Sequence, residues 1–202
     1  PWSMSDKKFV YDFAEGGARM KSLLGGKGAN LAEMTSIGIP VPQGFIITTE
    51  ACVHYSRAGE YPEGLAQEIE AHLAHLEEVT GKTLGDPSNP LLLSVRSGSV
   101  FSMPGMMDTI LNLGLNDATV EGLVASTGNA RFAYDSYRRF INMFGEVVMG
   151  VDAQLFEDAL TEKKAELGVE LDTDLSAEDL KDVTDRYKIL LQKETGSTFP
   201  SD

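Results

Sequence analysis

Positive charge is scarce in this sequence. Its 202 residues carry 17 Lys and Arg against 31 Asp and Glu, a formal net charge of −14. A chain so acidic does not suit a nucleic-acid backbone or an anionic membrane surface as partner, so neither is expected. Cysteine is nearly absent. The single Cys52 excludes an internal disulfide and suits a reducing compartment, with the cytoplasm the simplest choice. As a small apolar side chain, Cys52 is expected to be buried. No apolar run approaches the roughly 20 residues that span a bilayer. The opening "PWSMSDKKF" has no apolar signal core, and "PWS" before Met4 reads as an expression remnant, which sets residues 1–5 apart from the fold.

What the chain does contain is ordinary for a globular protein: 42% hydrophobic and 24% charged residues, enough for a sizeable core. The acid is uneven. Residues 1–105 hold 8 basic against 12 acidic side chains, and residues 106–202 hold 9 against 19. A site for a polyanion such as ATP would have to concentrate its cations locally. Lys and Arg in glycine-rich settings are therefore the residues to watch.

The first hundred residues alternate strand-like and helix-like pieces. "KFVYDF", "GFIITT" (44–49) and "PLLLSV" read as strands, the last two buried on both faces. "GANLAEMTSIG" reads as a helix stopping at Gly38, ahead of Pro40. "TEACVHYSRAG" and "EGLAQEIEAHLAHLEEVTG" also read as helices, the second with Leu65, Ile69, Leu73 and Leu76 on one face. From about residue 116 helical periods take over. "NARFAYDSYRRFINMFGEVVMG" places Ala133, Tyr137, Phe140, Ile141, Phe144 and Val148 on one side. Another helix is expected over 152–167, and a last one from Ser176 towards Glu194. There "SAED" fits a capping box, and Leu175 with Leu180 a hydrophobic staple.

Two stretches carry chemistry. In "SLLGGKGANLAEM" (22–34) glycines permit close backbone approach and positive φ, the helix start offers free N–H groups, and Lys27 adds a full charge. It is neither regular nucleotide motif. A P-loop needs a glycine where Lys21 stands and Ser or Thr where Gly28 stands, and a dinucleotide fingerprint from Gly26 would need glycine at Leu31. On these residues alone a phosphate contact and a structural turn both remain open. In "LLLSVRSGSVFSMPGMMDTILNLGL" (91–115) a strand delivers Arg96 to its carboxyl end, where α/β proteins tend to bind ligands. The guanidinium offers a planar fork for phosphate oxygens. The plainer alternatives are an ion pair for Arg96 and gap-filling core for Met103, Met106 and Met107.

His72 and His75, three apart on a helix, read as a solvated face rather than a metal site. The pairs Asp172 with Asp174 and Glu178 with Asp179 read as caps and solvated acids.

"LLGGKGANLAEMTSIGIPVPQGFIITTEAC", "LLLSVRSGSVFSMPGMMDTILNLGLND" and "GNARFAYDSYRRFINMFGEVVMGV" resemble the amino-terminal nucleotide-binding region of the pyruvate, phosphate dikinases. The resemblance runs from about Lys8 to Pro200. "GGKGANL" is shared with phosphoenolpyruvate synthases, whereas "SVRSG" followed by "SMPGMMDTILNLGLND" is specific. The resemblance implies an α+β fold: a partial ATP-grasp lobe, mixed sheet with helices, over 6–115, and a helical subdomain over 116–202. It implies a reaction of ATP, phosphate and pyruvate giving AMP, pyrophosphate and phosphoenolpyruvate through a phosphohistidine. Lys27 and Arg96 match the family's phosphate-binding residues. Gly26, Gly28, Ser97, Met103, Asp108 and Thr109 are expected at the nucleotide. Mg²⁺ ligands, the phosphohistidine domain and the pyruvate-binding barrel are expected beyond residue 202, and the parent protein is expected to be a homodimer. The chain by itself is expected to be inactive. A phosphoenolpyruvate synthase-like lobe and a stand-alone binding or regulatory module are the rival readings.

Overall fold

The computed structural model describes residues 7–98 and 109–200. These residues fall into two compact units. One runs up to Gly81 and takes in Ser97 and Gly98; the other comprises Lys82–Arg96 and the residues from Thr109 onward. The class is α+β.

In the first unit, strand β1 (Val10–Asp12) pairs antiparallel with β2 (Phe45–Ile47), Tyr11 lying opposite Ile46. Both runs are short and rich in β-branched or aromatic residues, as strands prefer. The carboxylate of Glu68 accepts the N–H groups of Phe9 and Val10 at 2.9 and 2.7 Å, giving backbone donors at the start of β1 a partner. Glu68 sits in the first turn of α3 (Leu65–Thr80). Helix α2 (Thr49–Ala58) is capped by the buried Thr48, which accepts from the Ala51 N–H. Phe9, Val10, Ala51 and Leu65 form a small core with Phe45 and Ile69.

Helix α1 (Lys21–Ser36) is longer than its sequence period indicates, and it is broken. Gly25, at φ 76° and ψ 168°, interrupts it. Helix exists on both sides of the glycines, so "GGKG" is the restart of a helix rather than a loop before one. Leu24, Ala29 and Ala32 are buried against Tyr11, Met20, Leu23 and Ile46.

In the second unit, β3 (Leu93–Arg96) pairs antiparallel with β4 (Thr109–Leu113), across a register irregularity between Leu93 and Val95. The strands of the described residues thus form two separate antiparallel pairs. The expectation of strands buried on both faces fails for this reason: Ser94, Val95 and Arg96 are exposed, as is Ile47 in β2. A two-stranded sheet has no inner strand to bury.

Helices α4 (Thr119–Thr127), α5 (Ala130–Val147), α6 (Ala153–Leu167) and α7 (Ala177–Thr195) complete this unit. On α5, Ala133, Tyr137, Phe140 and Ile141 are buried together with Phe156 of α6 and Leu180, Val183, Tyr187 and Leu191 of α7. Val148 departs from the expected stripe; it lies just past the end of α5, 56% exposed. The expected capping box at Ser176 is present, with Ser176 and Asp179 exchanging backbone-to-side-chain hydrogen bonds at 3.1 and 2.9 Å. Leu175 and Leu180 beside it are fully buried.

The late acidic residues serve structure, as expected of caps and surface acids. Asp174 accepts from the Leu171 N–H, and Asp172 pairs with Lys164 at 2.7 Å. Cys52, expected inside, is exposed. Its neighbour Ala51 takes the inward position of that turn. The helix period, not side-chain polarity, decides which of the two is covered.

Candidate phosphate-binding elements

Gly25 positions the first candidate element. Its positive φ is a conformation only glycine adopts at no steric cost. By turning there, the chain ends one helical segment and begins another at Gly26. The first N–H groups of a helix have no carbonyl four residues back to bond. Gly26, Lys27 and Gly28 therefore open the new segment with donors and the positive end of its dipole.

Packing fixes this turn from both sides. The Thr49 hydroxyl donates to the Ser22 carbonyl at 2.7 Å, holding the segment before the break. After the break, Gly28 is buried against β2; a Cβ there would stand 3.0 Å from Ile46 Cγ2. Lys27 is half-buried, and among the described residues no carboxylate lies within ion-pairing distance of its ammonium. In a chain of this acidity an unneutralised lysine at a helix restart is a local positive focus.

Arg96 ends β3, exposed, with Thr109 of β4 as its register partner. The strand pair thus brings Arg96 and Thr109 side by side. The plainer reading of Arg96 as an ion-pair member finds no support, since none of its partners among the described residues is a carboxylate. Ser97 follows directly, exposed. Met103 and Asp108, also expected at the nucleotide, lie outside the described residues, as do Met106 and Met107. Lys27 belongs to one compact unit and Arg96 to the other.

Two surface grooves are lined by other residues. One of about 460 Å³ runs along α2 past Val53, His54 and Arg57, and one of about 600 Å³ lies over Tyr137, Ile189 and Phe199. Neither Lys27 nor Arg96 lines either groove.

Sequence reasoning missed His72. It is not a solvated residue: its Nδ1 lies 2.7 Å from Asp12 Oδ1, and its ring centroid is 5.7 Å from that of Phe45. A partner 60 positions away leaves no mark on local periodicity. His75, one turn on, is exposed as expected.

Comparison with known proteins now adds to the geometry. Residues 21–63, which contain α1, β2 and α2, match the family described as pyruvate phosphate dikinase, AMP/ATP-binding domain. Over 97% of its length the chain is 57% identical to a chloroplastic pyruvate, phosphate dikinase of Flaveria trinervia, and 58% identical to one of Arabidopsis thaliana. Over 96% it is 53% identical to a pyruvate, phosphate dikinase of Clostridium symbiosum. The chain belongs to the pyruvate, phosphate dikinase family. It spans about a fifth of the length of these relatives: 21% of the Flaveria and Arabidopsis proteins and 22% of the Clostridium protein. Its α+β architecture is consistent with part of an ATP-grasp lobe. No described helix is long and apolar enough to cross a membrane.

Proposed function

We propose that this chain supplies ATP phosphate contacts to a pyruvate, phosphate dikinase, with Lys27 and Arg96 as the charged residues that hold and steady the phosphates. The observation that carries this reading is the helix restart at Gly25, which sets Lys27 in the first turn of the new segment with no carboxylate partner among the described residues. The parent reaction would convert ATP, phosphate and pyruvate into AMP, pyrophosphate and phosphoenolpyruvate through a phosphohistidine. Phosphoryl transfer of this kind depends mainly on positioning and on charge stabilisation, which backbone N–H groups, Lys and Arg provide.

Within this scheme the Gly26, Lys27 and Gly28 amides cradle phosphate oxygens while the ammonium of Lys27 moves with them. Arg96, with Thr109 at its side and Ser97 after it, offers the two-pronged guanidinium to a second set of oxygens. Met103 and Asp108 are proposed to border the nucleotide.

Mg²⁺ would bridge and neutralise phosphate charge. Among the described residues the one grouping of three potential ligands, Asp12, Glu15 and His72, includes an imidazole nitrogen, whereas Mg²⁺ favours an all-oxygen octahedron. That set does not fit the ion, so its ligands are assigned to the rest of the parent polypeptide. The phosphohistidine and pyruvate-binding domains are assigned there too, with the parent a homodimer of a reducing compartment such as the cytoplasm.

Calorimetric titration of the 202-residue chain with a non-hydrolysable ATP analogue tests the reading. Weak binding that disappears in Lys27→Ala is expected, with no phosphoenolpyruvate formed by the chain alone. Unchanged affinity in Lys27→Ala would make "GGKG" a structural turn, and turnover by the isolated chain would contradict its assigned inactivity.

A further inference from the structure

One polar cluster in the first unit takes no part in the phosphate elements. Asp12 closes β1, Glu15 ends the 3₁₀ turn Phe13–Glu15, and His72 lies in the middle of α3. One donor atom from each lies within 4.8 Å of the others. His72 Nδ1 faces Asp12 Oδ1 at 2.7 Å, and one Glu15 oxygen accepts the Asp12 N–H at 2.9 Å. The other Glu15 oxygen pairs with Lys8, whose hydrogen bond holds the Glu15 carboxyl below its ordinary range and keeps it ionised. The three side chains are 18%, 33% and 37% exposed for His72, Asp12 and Glu15, so water reaches the cluster without flooding it.

We propose that Asp12, Glu15 and His72 form a binding site for a divalent transition-metal ion of the zinc type. Zinc takes imidazole nitrogen and carboxylate oxygen at about 2.0–2.2 Å, which sets neighbouring ligand atoms roughly 3–3.5 Å apart. Side-chain movements of about an ångström or less bring the present atoms into that range. The mixed nitrogen and oxygen donors favour zinc, cobalt or nickel over Mg²⁺ or Ca²⁺, which prefer oxygen alone. Coordination through Nδ1 requires that nitrogen to give up the proton it shares with Asp12, leaving the neutral tautomer with its proton on Nε2. The ion displaces Lys8 from Glu15, and Lys8 already lies 4.8 Å from the centre of the Tyr11 ring, where a displaced ammonium keeps a favourable contact. Water completes the coordination.

Three ligands drawn from β1, the turn after it and α3 would clamp those elements together. The Phe13–Glu15 turn packs on α1, so the clamp would stiffen the frame that carries the helix restart. It does not depend on nucleotide binding.

Thermal unfolding of the full chain with and without Zn²⁺ tests this, in a Cys52→Ser background so that the exposed thiol cannot take the metal. At an ion concentration near a hundred times a micromolar Kd, the midpoint is expected to rise by about 5 °C or more. Mg²⁺ should give no rise, and the Zn²⁺ rise should vanish in His72→Gln and in Glu15→Gln. The readout is the change on adding metal within each variant, so a lower starting midpoint does not obscure it. If His72→Gln does not fold, Glu15→Gln decides. Visible absorption of Co²⁺ added in place of Zn²⁺, lost in the same variants, would place the ion on these ligands. No rise with Zn²⁺, or an equal rise in the variants, overturns the proposal.

Discussion

Lys27→Ala in a full-length pyruvate, phosphate dikinase carrying this sequence is expected to slow phosphoryl transfer from ATP by well over tenfold, and Arg96→Ala to do the same. A hydrogen bond to a charged group contributes about 1.5–3 kcal/mol, and each 1.36 kcal/mol lost from transition-state stabilisation is a factor of ten in rate. Both residues are placed where the protein gives them no competing carboxylate among the described residues. Folding should be little affected, because Lys27 is only half-buried and Arg96 exposed. A loss of kcat/KM with an unchanged unfolding midpoint therefore separates the phosphate role from a structural one. Near-normal rates in both variants would leave the glycine–lysine turn and the Arg96 strand end as architecture. Lys27→Arg is not expected to restore full activity, since a planar fork on a different stem replaces a compact ammonium.

The second large effect concerns stability and comes from two glycines that have nothing to do with phosphate. On α4, a Cβ at Gly122 would meet the Pro87 carbonyl oxygen at 2.0 Å. That obstacle is backbone and cannot rotate away. On α5, a Cβ at Gly145 would meet Phe156 Cζ at 2.5 Å and Leu191 Cδ2 at 2.8 Å, both residues fully buried.

Ala gains up to about 1 kcal/mol over Gly in helix propensity. Overpacking a filled core costs about 1–3 kcal/mol, sometimes more. At Gly122 the steric term should win clearly, because α4 must lift off the 87–90 segment. Gly122→Ala is expected to lower stability by about 2 kcal/mol or more, a midpoint drop of roughly 4–8 °C at this chain length. Gly145→Ala should cost less, since a ring and a leucine end can shift by part of the overlap. Denaturant or thermal unfolding checks both. An unchanged midpoint in Gly122→Ala would mean that the approach of Pro87 to α4 is looser than it stands here.

The contrast between these glycines and the capping residues shows what the sequence could disclose. The "SAED" box at Ser176 and the stripe from Ala133 to Ile141 were legible because both are properties of one helix, set by spacings of three and four residues. The family likeness of the two glycine-rich stretches was legible through their resemblance. The break at Gly25 was not. Two adjacent glycines permit it, but the Thr49 hydroxyl on Ser22 and the pressure of Ile46 on Gly28 come from elsewhere in the chain.

Strand β4 was hidden because "TILNLGL" looks like the tail of a loop until β3 gives it a partner. The helix face holding His72 read as polar and solvated for the same reason: Asp12 and Phe45 reach it only through the tertiary fold. Cys52 was misplaced because side-chain type was weighed above helical phase.

The helix restarting after Gly25 is proposed to seat ATP phosphate. Amide chemical shifts of the isotopically labelled chain, followed through a titration with a non-hydrolysable ATP analogue, address it directly. The Gly26, Lys27 and Gly28 amides are expected to move most among the resonances of α1, and to stay still when adenosine replaces the nucleotide. Shifts of equal size with adenosine, or shifts that leave these three amides unmoved while others respond, would contradict it.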